Sequence, residues 1–158
     1  AASTTQNITH NTDTTVEFDT SIFNVGSAYD NTTDTFTAPY AGKFFFHANI
    51  TWYNLSATFD QSFLKFAKTS GGTTTTYIVD HWNIKPSADG DTGTLGHQAW
   101  SSSEAFTQQG STILELAKND SVIVKCKYVD TTSVTPEQLY GADPALGNLH
   151  TQFFGYKL

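Results

Sequence analysis

The sequence predicts an all-β protein, an antiparallel β-sandwich of the jelly-roll type, and three observations carry that expectation. Phe44, Phe46, Ala48, Ile50 and Trp52 alternate with Phe45, His47, Asn49, Thr51 and Tyr53, the period-two signature of a strand with two distinct faces. No helical period persists beyond a turn or two. Turn residues recur at short, regular spacing, which divides the chain into about eight to ten short strands, as sandwiches and jelly rolls require.

Taken in order, residues 1–15 (AASTTQNITHNTDTT) have no hydrophobic period and read as a flexible or extended N-terminal arm, with the domain proper spanning 16–158. From Val16 to Trp52 the chain reads as a short strand, an Asp/Asn/Thr turn, a second short strand, a corner at Pro39-Tyr40-Ala41-Gly42, and a long aromatic strand. One face of that strand is wholly apolar and belongs to a core. The other mixes aromatic and polar groups, which suits a surface covered by another subunit better than one facing water.

Two strands, Phe63 to Lys68 and Thr76 to Ile84, flank the turn signal Gly71-Gly72. Lys85-Pro86 opens a Gly- and Asp-rich loop over 85–98. Further strands are expected at Ala99 to Thr107, Thr112 to Ala117, Ser121 to Asp130 and Thr151 to Lys157. The connection 131–150 is too long for a hairpin, which marks it as a candidate functional loop, with one helical turn after Pro136.

The 158 residues suit a single domain with a substantial core. Charged residues make up 15% of the chain, well below the usual quarter, and Thr fills much of the gap. Such a surface fits a virion component or a secreted protein better than a cytosolic enzyme. A net charge of −7, with 8 basic residues that form no cluster, argues against a nucleic-acid partner and against an anionic membrane. No apolar run has the length of a membrane helix, so membrane insertion is not expected. Ala1 at the start, without Met, fits either a trimmed initiator or a cut precursor.

Candidate chemistry is sparse. Cys126 shares a face with Val122, Val124 and Tyr128 and is expected to be a buried, inert thiol. The five His residues (His10, His47, His81, His97, His150) include no metal-ligand spacing; His47 on the second face of the aromatic strand reads either as a group that makes assembly sensitive to pH or as an ordinary hydrogen-bonded histidine. Calcium at Asp89, Asp91 or Asp143 is the one metal reading the loops allow; a hydrated acidic loop is the favoured alternative, and no cofactor is assigned. No Gly-x-Ser-x-Gly elbow or phosphate-cradling glycine loop occurs, and the four Glu residues suggest no catalytic pair, so the chain is read as non-enzymatic. Loops facing a ligand would present Asp89, Asp91, Glu137, Tyr140 and Asp143, with Tyr140 either stacking on a sugar ring or packed within its own loop. Asn-x-Ser/Thr sequons begin at Asn7, Asn31, Asn49, Asn54 and Asn119; a glycan on Asn49 would block the expected interface, so that site at least is expected to stay bare, which favours a chain never exposed to glycosylation.

The order of residues resembles the C1q globular-head domain, a relative of the tumour necrosis factor jelly rolls. Val16-x-Phe18-Asp19, Tyr29-Asp30, Phe36-Thr37-x-Pro39-x-x-Gly42 and Phe44-x-Phe46 carry the first half of the likeness. Ser111-Thr112-x-Leu114-x-Leu116, Asn119-Asp120-Ser121-Val122 with Val124, and the closing Phe153-Phe154-Gly155-Tyr156-x-Leu158 carry the second. The middle, from Phe59 to Ala105, matches weakly, Asn119-Asp120 replaces the usual Gly-Asp, and Phe44 replaces a common Tyr. The resemblance implies a homotrimer, with Phe45, His47, Tyr53 and Tyr156 near subunit contacts. With no collagen-type triplets present, the first expectation is a structural or adhesive virion-surface protein, either a capsid decoration (cement) trimer or a fibre head. Its arm would contact capsid or fibre proteins, and its loops a host glycan or receptor. The alternative is a secreted C1q-like recognition protein of the lectin or innate-immunity type.

Overall fold

The computed structural model describes residues 1–2, 4–20, 24–53, 59–83, 105–130, 136–143, 148–149 and 151–158. The expected loop 85–98 lies outside them, as do residues 99–104 and Ile84 of the expected strands. The described chain is almost entirely β, in two antiparallel sheets packed face to face. None of its helices is long and apolar enough to cross a membrane.

The first sheet is organised by β5 (Gly42–Tyr53). Along one edge it pairs for its whole length with β8 (Ala105–Leu116). Its other edge is shared end to end by β13 (Gln152–Lys157), opposite Phe44 to Asn49, and β10 (Glu137–Leu139), opposite Trp52 and Tyr53. Beyond β10 lies β1 (Gln6–Ile8). The second sheet has the order β3 (Tyr29–Asp30), β4 (Thr35–Thr37), β9 (Ser121–Asp130), β6 (Phe59–Ser70) and β7 (Thr73–Asn83), with β2 (Thr14–Thr15) also on β9. A small ribbon joins β11 (Ala142–Asp143) to β12 (Asn148–Leu149).

The core is the predicted apolar face of β5 set against β6 and β9. Phe46, Ala48, Ile50 and Trp52 are fully buried, and Val122, Val124, Cys126 and Tyr128 of β9 alternate inward opposite them. Aromatic pairs tie the two sheets together: Phe46 to Phe66 at 6.1 Å, Trp52 to Tyr128 at 6.2 Å, and Trp52 edge-on to Phe59 at 5.7 Å. Cys126 is completely buried, and desolvation pushes its thiol well above the ordinary cysteine range. A thiolate-selective reagent is therefore expected to leave Cys126 unmodified in the native protein and to label it fully only after denaturation; rapid native labelling would contradict this packing.

Four sequence expectations change. Residues 105–107 and 112–117 were expected in separate strands, but β8 runs unbroken through Gln108, Gln109, Gly110 and Ser111. Gln108 turns inward and is fully buried; its Oε1 accepts the Trp52 Nε1 hydrogen at 3.1 Å, and its Nε2 lies 3.4 Å from the Ser62 carbonyl. A polar residue satisfied in this way sits in a core without interrupting a strand. Gly110 lies where β7 crosses over β8. A Cβ there would stand 2.6 Å from Val79 Cγ2 and 3.1 Å from the Val79 carbonyl, so Gly110→Ala is expected to cost about 1–3 kcal/mol in chemical denaturation.

The described part of residues 1–15 is extended but packed into the sheets rather than flexible. Gln6, Asn7 and Ile8 pair with Leu139, Gln138 and Glu137, Thr14 and Thr15 pair with β9, and Ile8 is fully buried. Asp13 bridges Lys65, and His10 Nε2 sits 3.2 Å from the Asp130 carbonyl with its ring over Tyr128. Residues Glu137–Leu139, expected within a helical turn, are extended as β10 because Leu139 fills the core and the backbone pairs with strands on both sides. Finally, β6 and β7 are longer than predicted, since their Thr-rich ends continue the hairpin to Ser70 and Thr73.

The departure at Asn119 has a local cause. Asn119 adopts φ 71°, a left-handed conformation that Asn tolerates better than most residues and that Gly takes freely. Asp120 closes the same turn through its Oδ2, which accepts from Ala117 N at 2.9 Å and lies 3.3 Å from Lys68 Nζ.

Candidate functional site

The outward face of the first sheet follows directly from the strand register. Residues paired across an antiparallel sheet point to the same side, so β13, β5 and β8 contribute to common rows. Tyr156, Phe45 and Ile113 form one row. Phe154, His47 and Ser111 form the next. Gln152, Asn49 and Gln109 form a third, all neutral amides. On the far side of the Phe45 row lie Lys43 and Glu115, with Leu158 N donating to the Lys43 carbonyl.

The side chains in these rows pack on each other but remain open on top. Phe45 lies 5.2 Å from Tyr156 and 6.3 Å from Phe154. His47 lies 4.9 Å from Phe154, with Nδ1 2.8 Å from Ser111 Oγ. Ile113 is 58% exposed, Leu158 58%, Tyr156 54% and Phe154 50%. Large apolar side chains exposed in adjoining rows form a continuous patch rather than single scattered residues.

The upper part of the face is covered by the chain itself. Tyr140 N donates to the Thr51 carbonyl at 2.7 Å, Thr151 Oγ1 donates to the Tyr140 carbonyl at 2.8 Å, and Thr51 N donates to Thr151 Oγ1 at 3.2 Å. Tyr53 packs against Tyr140, the rings tilted by 33° with centroids 5.0 Å apart. Of the residues expected at subunit contacts, Phe45, His47 and Tyr156 therefore come together, while Tyr53 sits at the covered margin.

The expected ligand loops fare differently. Glu137 is 1% exposed on β10, so it is a buried strand residue and not part of a loop facing outward. Tyr140 is partly covered by its contact with Tyr53. Asp143 lies on β11, its backbone paired with Asn148, and Asp89 and Asp91 fall outside the described residues. Among the described residues no group of three or more His, Cys, Asp or Glu side chains is placed to hold a metal ion.

Phe154, Leu158 and Ile113 are members of the exposed patch that sequence reasoning left out. The signal was present for the first two: Phe154, Tyr156 and Leu158 recur at period two, as do the β5 residues. Gly155 makes this arrangement possible. A Cβ at that position would meet Phe46 Cδ1 at 2.5 Å, so only glycine lets β13 lie flat over the core while its neighbours point outward.

Burial depresses the His47 pKa. A histidine whose folded pKa is lowered binds its proton more weakly in the folded state. Its effect on stability is thus fully favourable above the unfolded value and is lost as pH falls from there through the lower folded value. Thermal midpoints are expected to fall between pH 7.5 and pH 5, less steeply in His47→Gln; identical slopes would remove His47 from the account.

A family model described as C1q domain matches residues 1–81. Among solved structures, the globular domain of zebrafish complement 1qA protein is similar over 97% of this chain and 90% of its own, with 13% identity and a TM-score of 0.53. The Eiger TNF structure from S. frugiperda is similar over 98% of this chain and 85% of its own, with 12% identity and a TM-score of 0.59. No curated protein matches. The family match begins at Ala1, ahead of β1, runs through the β5 core and ends within β7, and both solved structures share the same jelly roll. The chain belongs to the C1q-domain family.

Proposed function

We propose that this protein is a non-enzymatic homotrimer whose subunits meet through the Phe45–His47–Phe154–Tyr156 face, and that it acts as a structural or adhesive component of a virion surface. The exposed aromatic face is the observation that carries the reading. It spans three strands of a rigid sheet, its upper margin is closed by Tyr53 and Tyr140, and its neutral row of Asn49, Gln109 and Gln152 can hydrogen-bond across an interface without burying charge. Family membership supports trimer formation, since C1q and TNF jelly rolls associate in threes.

The low charge and Thr-rich surface support a particle component that works outside the cell. With the N-terminal segment paired into both sheets, docking to a capsid or fibre would use the assembled domain rather than a free arm. The second reading is a secreted recognition protein, favoured by the likeness to a complement head domain. Intact mass of the chain from its natural source separates the two. A bare polypeptide mass supports the virion reading; glycan mass at Asn31 or Asn119, both in exposed turns, supports the secreted one.

A further inference from the structure

Folding gathers lysines that the sequence keeps apart. In β9, Lys125 and Lys127 alternate with the buried Val124, Cys126 and Tyr128, so both point away from the core. Lys127 is registered beside Phe63, which is registered beside His81; Lys125 is beside Lys65, which is beside Ile78. The His81 and Phe63 rings are stacked, 4.2 Å apart and 6° from parallel, with Lys65 Nζ 5.3 Å from the Phe63 ring. His81 and Ile78 are exposed.

This face is cationic in a protein of net charge −7, and it carries three of the chain's 8 basic residues. The rows on either side, Val129–Gln61–Asn83 and Ile123–Ala67–Thr76, hold no charge. Asp13 flanks the patch and is paired with Lys65, which leaves Lys125 and Lys127 as its outward cations. Glu17 lies toward the Lys125 end, one residue beyond Val16, whose N donates to the Val124 carbonyl. The expectation that the basic residues form no cluster therefore holds along the sequence but not across the sheet.

We propose that the outer face of the second sheet binds a sulfated polysaccharide. Residues two apart on a strand are separated by about 6.6 Å, a spacing at which Lys125 and Lys127 meet successive anionic groups on one extended chain. The Phe63-backed His81 ring and Ile78 beside them give a flat, apolar platform for a sugar ring, as protein sites for pyranose faces use. The net negative charge of the whole molecule disfavours ligands held by charge alone, and the ring platform beside the lysines selects a sulfated sugar, which presents a pyranose face, over a bare phosphate backbone, which does not. This site is independent of the trimer face: the two lie on opposite outer surfaces of the sandwich, so covering one leaves the other open.

The test is retention on immobilised heparin, eluted with a salt gradient, for the wild-type protein, the single variants Lys125→Ala and Lys127→Ala, their double variant, His81→Ala, and Lys118→Ala in the exposed β8–β9 turn, which matches the single variants in charge. The wild type and Lys118→Ala are expected to be retained alike. The double variant should elute at clearly lower salt with binding weakened roughly tenfold or more, and the single variants and His81→Ala should fall between. Soluble chondroitin sulfate should compete, while neutral dextran and duplex DNA should not. Absence of wild-type retention at low salt, equal elution of the single variants and Lys118→Ala, or competition by DNA matching that by chondroitin sulfate would each overturn the proposal. Unchanged circular dichroism of the variants ties any loss to the face itself.

Discussion

Phe45→Asp is expected to convert the proposed trimer to a folded monomer. Phe45 sits at the centre of the exposed rows, between Tyr156 and Ile113 and in contact with Phe154. Replacing it removes an aromatic anchor and places an unpaired carboxylate where the nearest partners are apolar. Desolvating an unpaired charge costs several kcal/mol, and in a trimer the penalty is paid in every subunit. Inside one subunit the same carboxylate faces water, so the fold survives. Sedimentation velocity should show the mass of a single chain with unchanged far-ultraviolet circular dichroism. Glu115→Ala is the matched control: Glu115 is exposed in the row of Lys43, at the edge of the patch, and its loss should leave the trimer intact. A Phe45→Asp protein that still sediments as a trimer would displace the interface from this face.

The second large effect concerns the fold. Trp52→Ala removes a fully buried side chain that contacts Phe59, Phe106 and Tyr128 and strips the buried Gln108 Oε1 of its donor. Large-to-small changes of this kind cost about 3–5 kcal/mol, and a buried acceptor left without a partner adds about 1–3 kcal/mol. At fixed protein concentration the thermal midpoint should fall by on the order of 10 °C or more. Gln108→Leu separates the two contributions. It removes the acceptor and leaves the Trp52 N–H buried, so it should be milder than Trp52→Ala; a neutral Trp52→Ala would contradict the packing described for the core.

Much of the fold was legible because it is written locally. The alternation in Phe44 to Tyr53 and in Val122 to Tyr128 specifies both the strands and the faces they bury. Other parts depend on partners distant in the chain. Residues 1–15 contain few apolar residues, and nothing local reveals that Ile8 fills the core beside Leu139 or that Thr14 and Thr15 find β9. Gln108 and Gly110 look like turn residues in isolation; Trp52 and Val79, from other strands, give them a place in β8. Glu137 and Leu139 lie in a polar stretch whose strand character comes from pairing on both edges.

The candidate site divides in the same way. Phe45 and His47 declare themselves by alternation on one strand. Phe154 and Ile113 join them through register, which no single segment encodes. The lysine face is the extreme case, since Lys65 lies far along the chain from Lys125 and Lys127 and only the pairing of β6 with β9 sets them side by side.

Native mass spectrometry of the wild-type protein at micromolar concentration and neutral pH tests the central claim most directly. A single species at three times the chain mass, dissociating only under harsh activation, is the result this account predicts. A monodisperse, folded monomer would leave the Phe45–Phe154–Tyr156 face open to water and contradict it.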